Sequence, residues 1–86
     1  MPEISRFFGI IIRMYYREHG DPHFHAEYGE HKAVINIETL AMMSGNLPPR
    51  AYALVAEWAL LHKSELRKEW ERARNQEKLE KIAPLE

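Results

Sequence analysis

Phe24-His25-Ala26-Glu27-Tyr28, Gly29-Glu30 and Lys32-Ala33-Val34-Ile35-Asn36-Ile37 read as two β-strands joined by a tight reverse turn. Glycine at the first turn position suits a two-residue hairpin. In that register Tyr28 faces His31, Glu27 faces Lys32, Ala26 faces Ala33, His25 faces Val34 and His23 faces Asn36. Alternate strand residues share a face. Phe24, Ala26, Tyr28, Ala33, Ile35 and Ile37 then make an apolar face, and His23, His25, Glu27, Lys32 and Asn36 a polar one. A slip of one residue would mix the two sets.

Upstream, residues 7–16 read as a further strand, with Gly9 at a bulge or a point of close approach. Ile10, Ile12 and Met14 fall on one side; Ile11, Arg13 and Tyr15 fall on the other. A strand apolar on both sides is usually covered on both. One helix covers one face of a small sheet, so a second layer is expected, supplied by another copy of the chain. Ile11 and Tyr15 are its expected contacts, with Trp58 and Trp70 as aromatic anchors. His19-Gly20-Asp21-Pro22 supplies turn chemistry between the strands.

Downstream, residues 38–45 fit a single helical turn ended by Gly45 and a loop equally well. Pro48-Pro49 then suits the first turn of a helix. Tyr52, Val55, Ala59, His62, Leu66, Trp70 and Ala73 recur at three- and four-residue steps, which predicts a helix over 49–75. Leu79, Ile82 and Leu85 are placed to pin an extended tail, 76–86, on the body. The expected architecture is α+β: a three-stranded antiparallel meander (about 7–16, 24–28 and 32–37) packed on one long C-terminal helix, as one domain over residues 1–86.

Composition sets bounds on function. The 86 residues contain no cysteine, which excludes disulfides and thiolate metal sites. Twelve basic and thirteen acidic residues give a formal net charge of −1, which offers no general attraction to nucleic acid or anionic membrane. No apolar run approaches a membrane span and the N-terminus has no signal-peptide pattern, so a cytoplasmic protein is expected.

The chemistry centres on Asp21-Pro22-His23-Phe24-His25-Ala26-Glu27. Two imidazoles and a carboxylate on one strand face suit zinc and related ions. His23, His25, Glu27 and Asp21 are the candidate ligands, with His19 in reach, although no cofactor is demanded. The plainer reading is a polar sheet face with Glu27 paired to Lys32. Imidazole also moves protons near neutral pH, so His23 and His25, with Lys32 or Arg13 stabilising an anionic transition state, are candidate catalytic groups for RNA cleavage. Nucleic-acid binding through Arg6, Arg13, Arg17 and Lys32 beside Tyr15, Tyr16 and Phe24 stays open, but acids outnumber bases before Pro48. His62, in the helix's apolar stripe, reads as a core or interface histidine with a satisfied hydrogen bond. No phosphate loop, nucleophile elbow or His-Glu-x-x-His helix is present.

Arg6-Phe7-Phe8-Gly9-Ile10, Pro22-His23-Phe24-His25-Ala26 and Leu47-Pro48-Pro49-Arg50, leading into a tryptophan-bearing helix, resemble the bacterial domain of unknown function family 4160. The resemblance covers nearly the whole chain, and Pro-His-Phe-His-Ala is its most specific segment. It implies a small stand-alone bacterial protein, often encoded beside a second small protein as in toxin–antitoxin modules. It implies no activity; if its motif marks a site, His23, His25 and Asp21 are the positions. The expected function is a non-enzymatic interaction component of such a two-gene module, a homodimer that binds the neighbouring gene's product. The alternative is a small RNase or metal-dependent hydrolase working from the His23/His25 face.

Overall fold

The computed structural model describes residues 2–86. Five strands form one antiparallel sheet in chain order: β1 (Glu3–Phe7), β2 (Ile10–Arg13), β3 (His23–Tyr28), β4 (His31–Asn36) and β5 (Met42–Gly45). Two helices follow, α1 (Pro49–Leu61) and α2 (Lys63–Arg74), and residues 77–86 run without regular structure. The class is α+β and the sheet is a meander, with five strands instead of three and two helices instead of one.

The central hairpin has the register its alternation predicts, His23↔Asn36 through Tyr28↔His31. Gly29 takes the turn's left-handed conformation at φ +59. The expected strand over 7–16 is instead a hairpin. Phe7 pairs with Ile10 across a Phe8-Gly9 turn, and β2 ends at Arg13. Both turn residues have positive φ, 49 and 80, the geometry whose twist matches antiparallel strands. Gly9 therefore serves a turn; the irregularity in this pair lies in β1, between Glu3 and Ser5. The reversal puts Phe7 and Ile10 side by side on the core face, and leaves Ile11 as the apolar residue of β2 on the open face.

Residues 42–45, read as a helical turn or a loop, form β5 at the sheet edge. Asn36 builds the turn that leads there. Its Oδ1 accepts the Glu38 and Thr39 N–H groups at 2.7 and 2.9 Å, an Asx-type cap that replaces the ladder where β4 ends. Arg67 of α2 then clamps the Glu38 carboxylate from outside at 2.6 Å.

The helical stripe is continuous in sequence but broken in space at His62, whose φ of −120 leaves the helical range. Val55, Trp58 and Ala59 are buried before the break, and Leu66, Trp70 and Ala73 after it. Because the three- and four-residue steps run straight through, the pattern carries no sign of the bend. His62 is half-buried and donates from Nδ1 to Glu65 at 2.5 Å.

The core lies between the sheet and the helices. Ile10, Ile12, Met14, Phe24, Ile35 and Ile37 are fully buried, and the Trp58 ring sits 5.3 Å from Phe7 and 5.9 Å from Phe24. Trp58 and Trp70, expected to anchor a partner, are 0% and 3% exposed within the chain itself. They are core residues, because the sheet and tail already enclose them.

The tail is pinned as its apolar residues suggest. Ile82 and Leu85 are buried, the Ile82 N–H donates to the Ile4 carbonyl at 2.7 Å, and Trp58 Nε1–H donates to the Ala83 carbonyl at 2.8 Å. Buried Glu69 fastens the same segment, accepting the Glu80 N–H at 2.7 Å and pairing with Arg72 at 2.5 Å. Glu69→Ala strips both donors of their acceptor. It is expected to cost about 1–3 kcal/mol in urea denaturation and to speed proteolytic trimming of the tail. No helix among the described residues is long and apolar enough to cross a membrane.

Candidate functional site

His23 and His25 lie two residues apart on β3, alternating with the buried Phe24 and Ala26. Their environments differ. His23, only 7% exposed, packs its ring against Trp70 of α2 at 4.9 Å. The expectation that both imidazoles stand clear of the helical layer therefore holds only for His25. That ring meets Tyr15 edge-on at 4.5 Å and lies 5.5 Å from His23.

The residue that joins them is Glu18, in the loop between β2 and β3. Its Oε1 lies 2.7 Å from His25 Nε2 and 3.4 Å from His23 Nε2. Strand alternation cannot point to Glu18, which belongs to no strand; the available signal was a carboxylate within one loop length of a His-x-His pair. His23 Nδ1 lies 2.7 Å from the Asp21 carbonyl oxygen, an acceptor only, so this nitrogen carries a hydrogen and Nε2 is the one turned toward Glu18. Burial works to raise the Glu18 carboxyl, but hydrogen bonds and charge from His25 and His23 outweigh it and hold the group below its ordinary value. Glu18 is thus an ionised acceptor facing two imidazoles.

The other expected ligands stand apart. Glu27 pairs with Arg13 at 3.1 Å and not with Lys32, although Lys32 is its cross-strand neighbour. Asp21 takes part through its backbone carbonyl. Lys32 is exposed and borders, with Tyr15, His25, Glu27 and Ser44, a shallow cleft of about 260 Å³ on the open sheet face. Among the described residues, Glu18, His23 and His25 are the group whose ligand atoms come together, all within 4.8 Å of one another.

A second concave region lies at the turn end of the sheet. Phe8, Tyr28, Pro48, Ala51 and Leu54 line a cleft of about 400 Å³ with Arg50 beside them. Phe8 is 60% exposed because the β1–β2 turn lifts it off the core. Of the residues expected at an interface, Ile11 and Tyr15 are half-buried on the open sheet face.

No curated protein and no solved structure shows significant similarity to the chain. The model of a family described as a domain of unknown function (DUF4160) matches residues 9–71, from the first turn through most of α2 and across the whole Glu18/His23/His25 cluster. With most of its length matched, the chain belongs to the DUF4160 family.

Proposed function

We propose that the chain is a non-enzymatic interaction component of a two-gene, toxin–antitoxin-like module in the bacterial cytoplasm. In this reading it is a homodimer that binds the protein encoded beside it. The observation that carries the reading is the cleft formed by Phe8, Tyr28, Pro48, Ala51 and Leu54. Aromatic side chains around an apolar hollow, with an arginine at the rim, are the composition of protein-binding hot spots. Leu61 extends this surface, standing seven residues and hence two turns beyond Leu54 on the same side of α1, and it is exposed. The open sheet face, where Ile11, Tyr15 and Val34 are half-buried, is the surface for the second copy.

Co-expression with the neighbouring gene tests the proposal. The wild-type pair is expected to co-purify, and Tyr28→Ala/Leu54→Lys to weaken binding by roughly thirtyfold while the circular dichroism spectrum is retained. A monodisperse monomer in sedimentation that leaves the neighbour unbound would overturn it.

The alternative, a small RNase or metal-dependent hydrolase, is supported by His25, which Glu18 holds beside the cleft bordered by Lys32. The same co-expression strains decide it. A His23→Ala/His25→Ala chain that stays folded and keeps its effect on growth and RNA ends that reading.

A further inference from the structure

We propose that Glu18, His23 and His25 form a binding site for a divalent transition-metal ion of the zinc class, held by Glu18 Oε1 and the Nε2 atoms of both imidazoles. This inference is independent of the interaction reading. It begins from an electrostatic mismatch. His23 donates from Nδ1 to the Asp21 carbonyl, so in the neutral ring Nε2 presents a bare lone pair. That lone pair faces Glu18 Oε1, a second acceptor, 3.4 Å away. Two acceptors held face to face call for something positive between them, either a proton or a metal.

Three features favour the metal. The donor set of two imidazoles and a carboxylate is the one that borderline divalent ions prefer. The Nδ1–H bond to a backbone carbonyl is the usual support of a metal-bound histidine, fixing its tautomer and ring orientation. The spacing is close enough for small side-chain shifts to complete the set, since all three donor atoms lie within 4.8 Å of one another. Donors around a tetrahedral zinc ion with bonds near 2.0 Å lie about 3.3 Å apart, and Glu18 Oε1 is 2.7 and 3.4 Å from the two nitrogens. Binding would need the Nε2 lone pair of His25, so its proton moves to Nδ1 in the neutral ring or to solvent from the cationic one, and three protein ligands leave the fourth position to water. Arg13, the cation paired across the strands with His25, is drawn off by Glu27. The ion would tie the β2–β3 loop to β3, next to Trp70.

Zinc added to the chelator-stripped full chain tests the site. One equivalent is expected to bind and to change tryptophan emission, since the His23 ring lies 4.9 Å from Trp70. At about ten times its dissociation constant, free zinc should raise the melting temperature by roughly 10 °C. His25→Ala and Glu18→Gln should each weaken uptake at least about tenfold, whereas His62→Ala, which removes a His–Glu pair outside the cluster, should not. Long-range proton–nitrogen spectra of the unmutated chain give a readout that needs no variant: both Nε2 signals must move to metal-bound positions. Absence of saturable uptake, uptake indifferent to His25→Ala and Glu18→Gln, or Nε2 signals that stay protonated in excess zinc would each overturn the proposal.

Discussion

Gly45→Ala is expected to detach β5 and to cost about 3–5 kcal/mol, from backbone strain and overpacking together. Gly45 has φ +79, a conformation side chains rarely adopt, and pairs with Ala33 at the sheet edge. A Cβ built there would lie 2.1 Å from the Lys32 carbonyl oxygen and 2.8 Å from the Ala33 Cα. Both are backbone atoms of β4, so neither can swing aside as a flexible side chain would. Relief requires β5 to move out, which breaks the adjacent bond from the Asn46 N–H to that same Lys32 carbonyl. Buried Leu47 and the entry to α1 follow directly, so the damage reaches the core. Against the 5–15 kcal/mol typical of a whole domain, such a loss should be plain in chemical denaturation. A variant within about 1 kcal/mol of wild type would show that the edge yields without strain.

Trp58→Ala should cost a similar amount, about 3–5 kcal/mol, by leaving a cavity under α1. Trp58 is the largest fully buried side chain and touches Phe7 of β1, Phe24 of β3 and His62 at the helix break. Its indole N–H also holds the tail through the Ala83 carbonyl. Trp58→Phe separates the two roles. The smaller ring keeps most of the packing but cannot donate, so it should lose about 1–2 kcal/mol and loosen residues 80–86 specifically. Hydrogen exchange of the Ile82 amide, which depends on that docking, reads the difference. Equal exchange in the two proteins would assign the tail's hold to its apolar contacts alone.

How far the sequence was legible follows from where each signal resides. The β3–β4 hairpin could be read to the residue, because its alternation allows one register and Gly29 marks its turn. The β1–β2 hairpin was hidden: its first turn position is Phe8, where such turns usually carry Asn, Asp or Gly. β5 is short and mostly exposed, so Met42-Met43-Ser44-Gly45 lacks the alternation of a half-buried strand. The break at His62 has no proline or glycine, and the buried positions keep helical spacing across it. In the candidate site, the His-x-His pair was visible as a strand face. Glu18 was not, because a loop residue is brought to its partners by tertiary structure and by no local period. Glu27, assigned to the metal set by face alone, is claimed by Arg13 from the neighbouring strand. That competition exists only once β2 lies beside β3.

The docking of residues 80–83 on β1 and Trp58 bears on how the chain is made. Every strand pairs with its neighbour in sequence, so the sheet can assemble hairpin by hairpin as it leaves the ribosome. The Ile4 carbonyl and the Trp58 indole nevertheless receive their partners only when Ile82 and Ala83 emerge. Until then the nascent protein carries an open outer strand, and β1 is sealed only after both helices have been made.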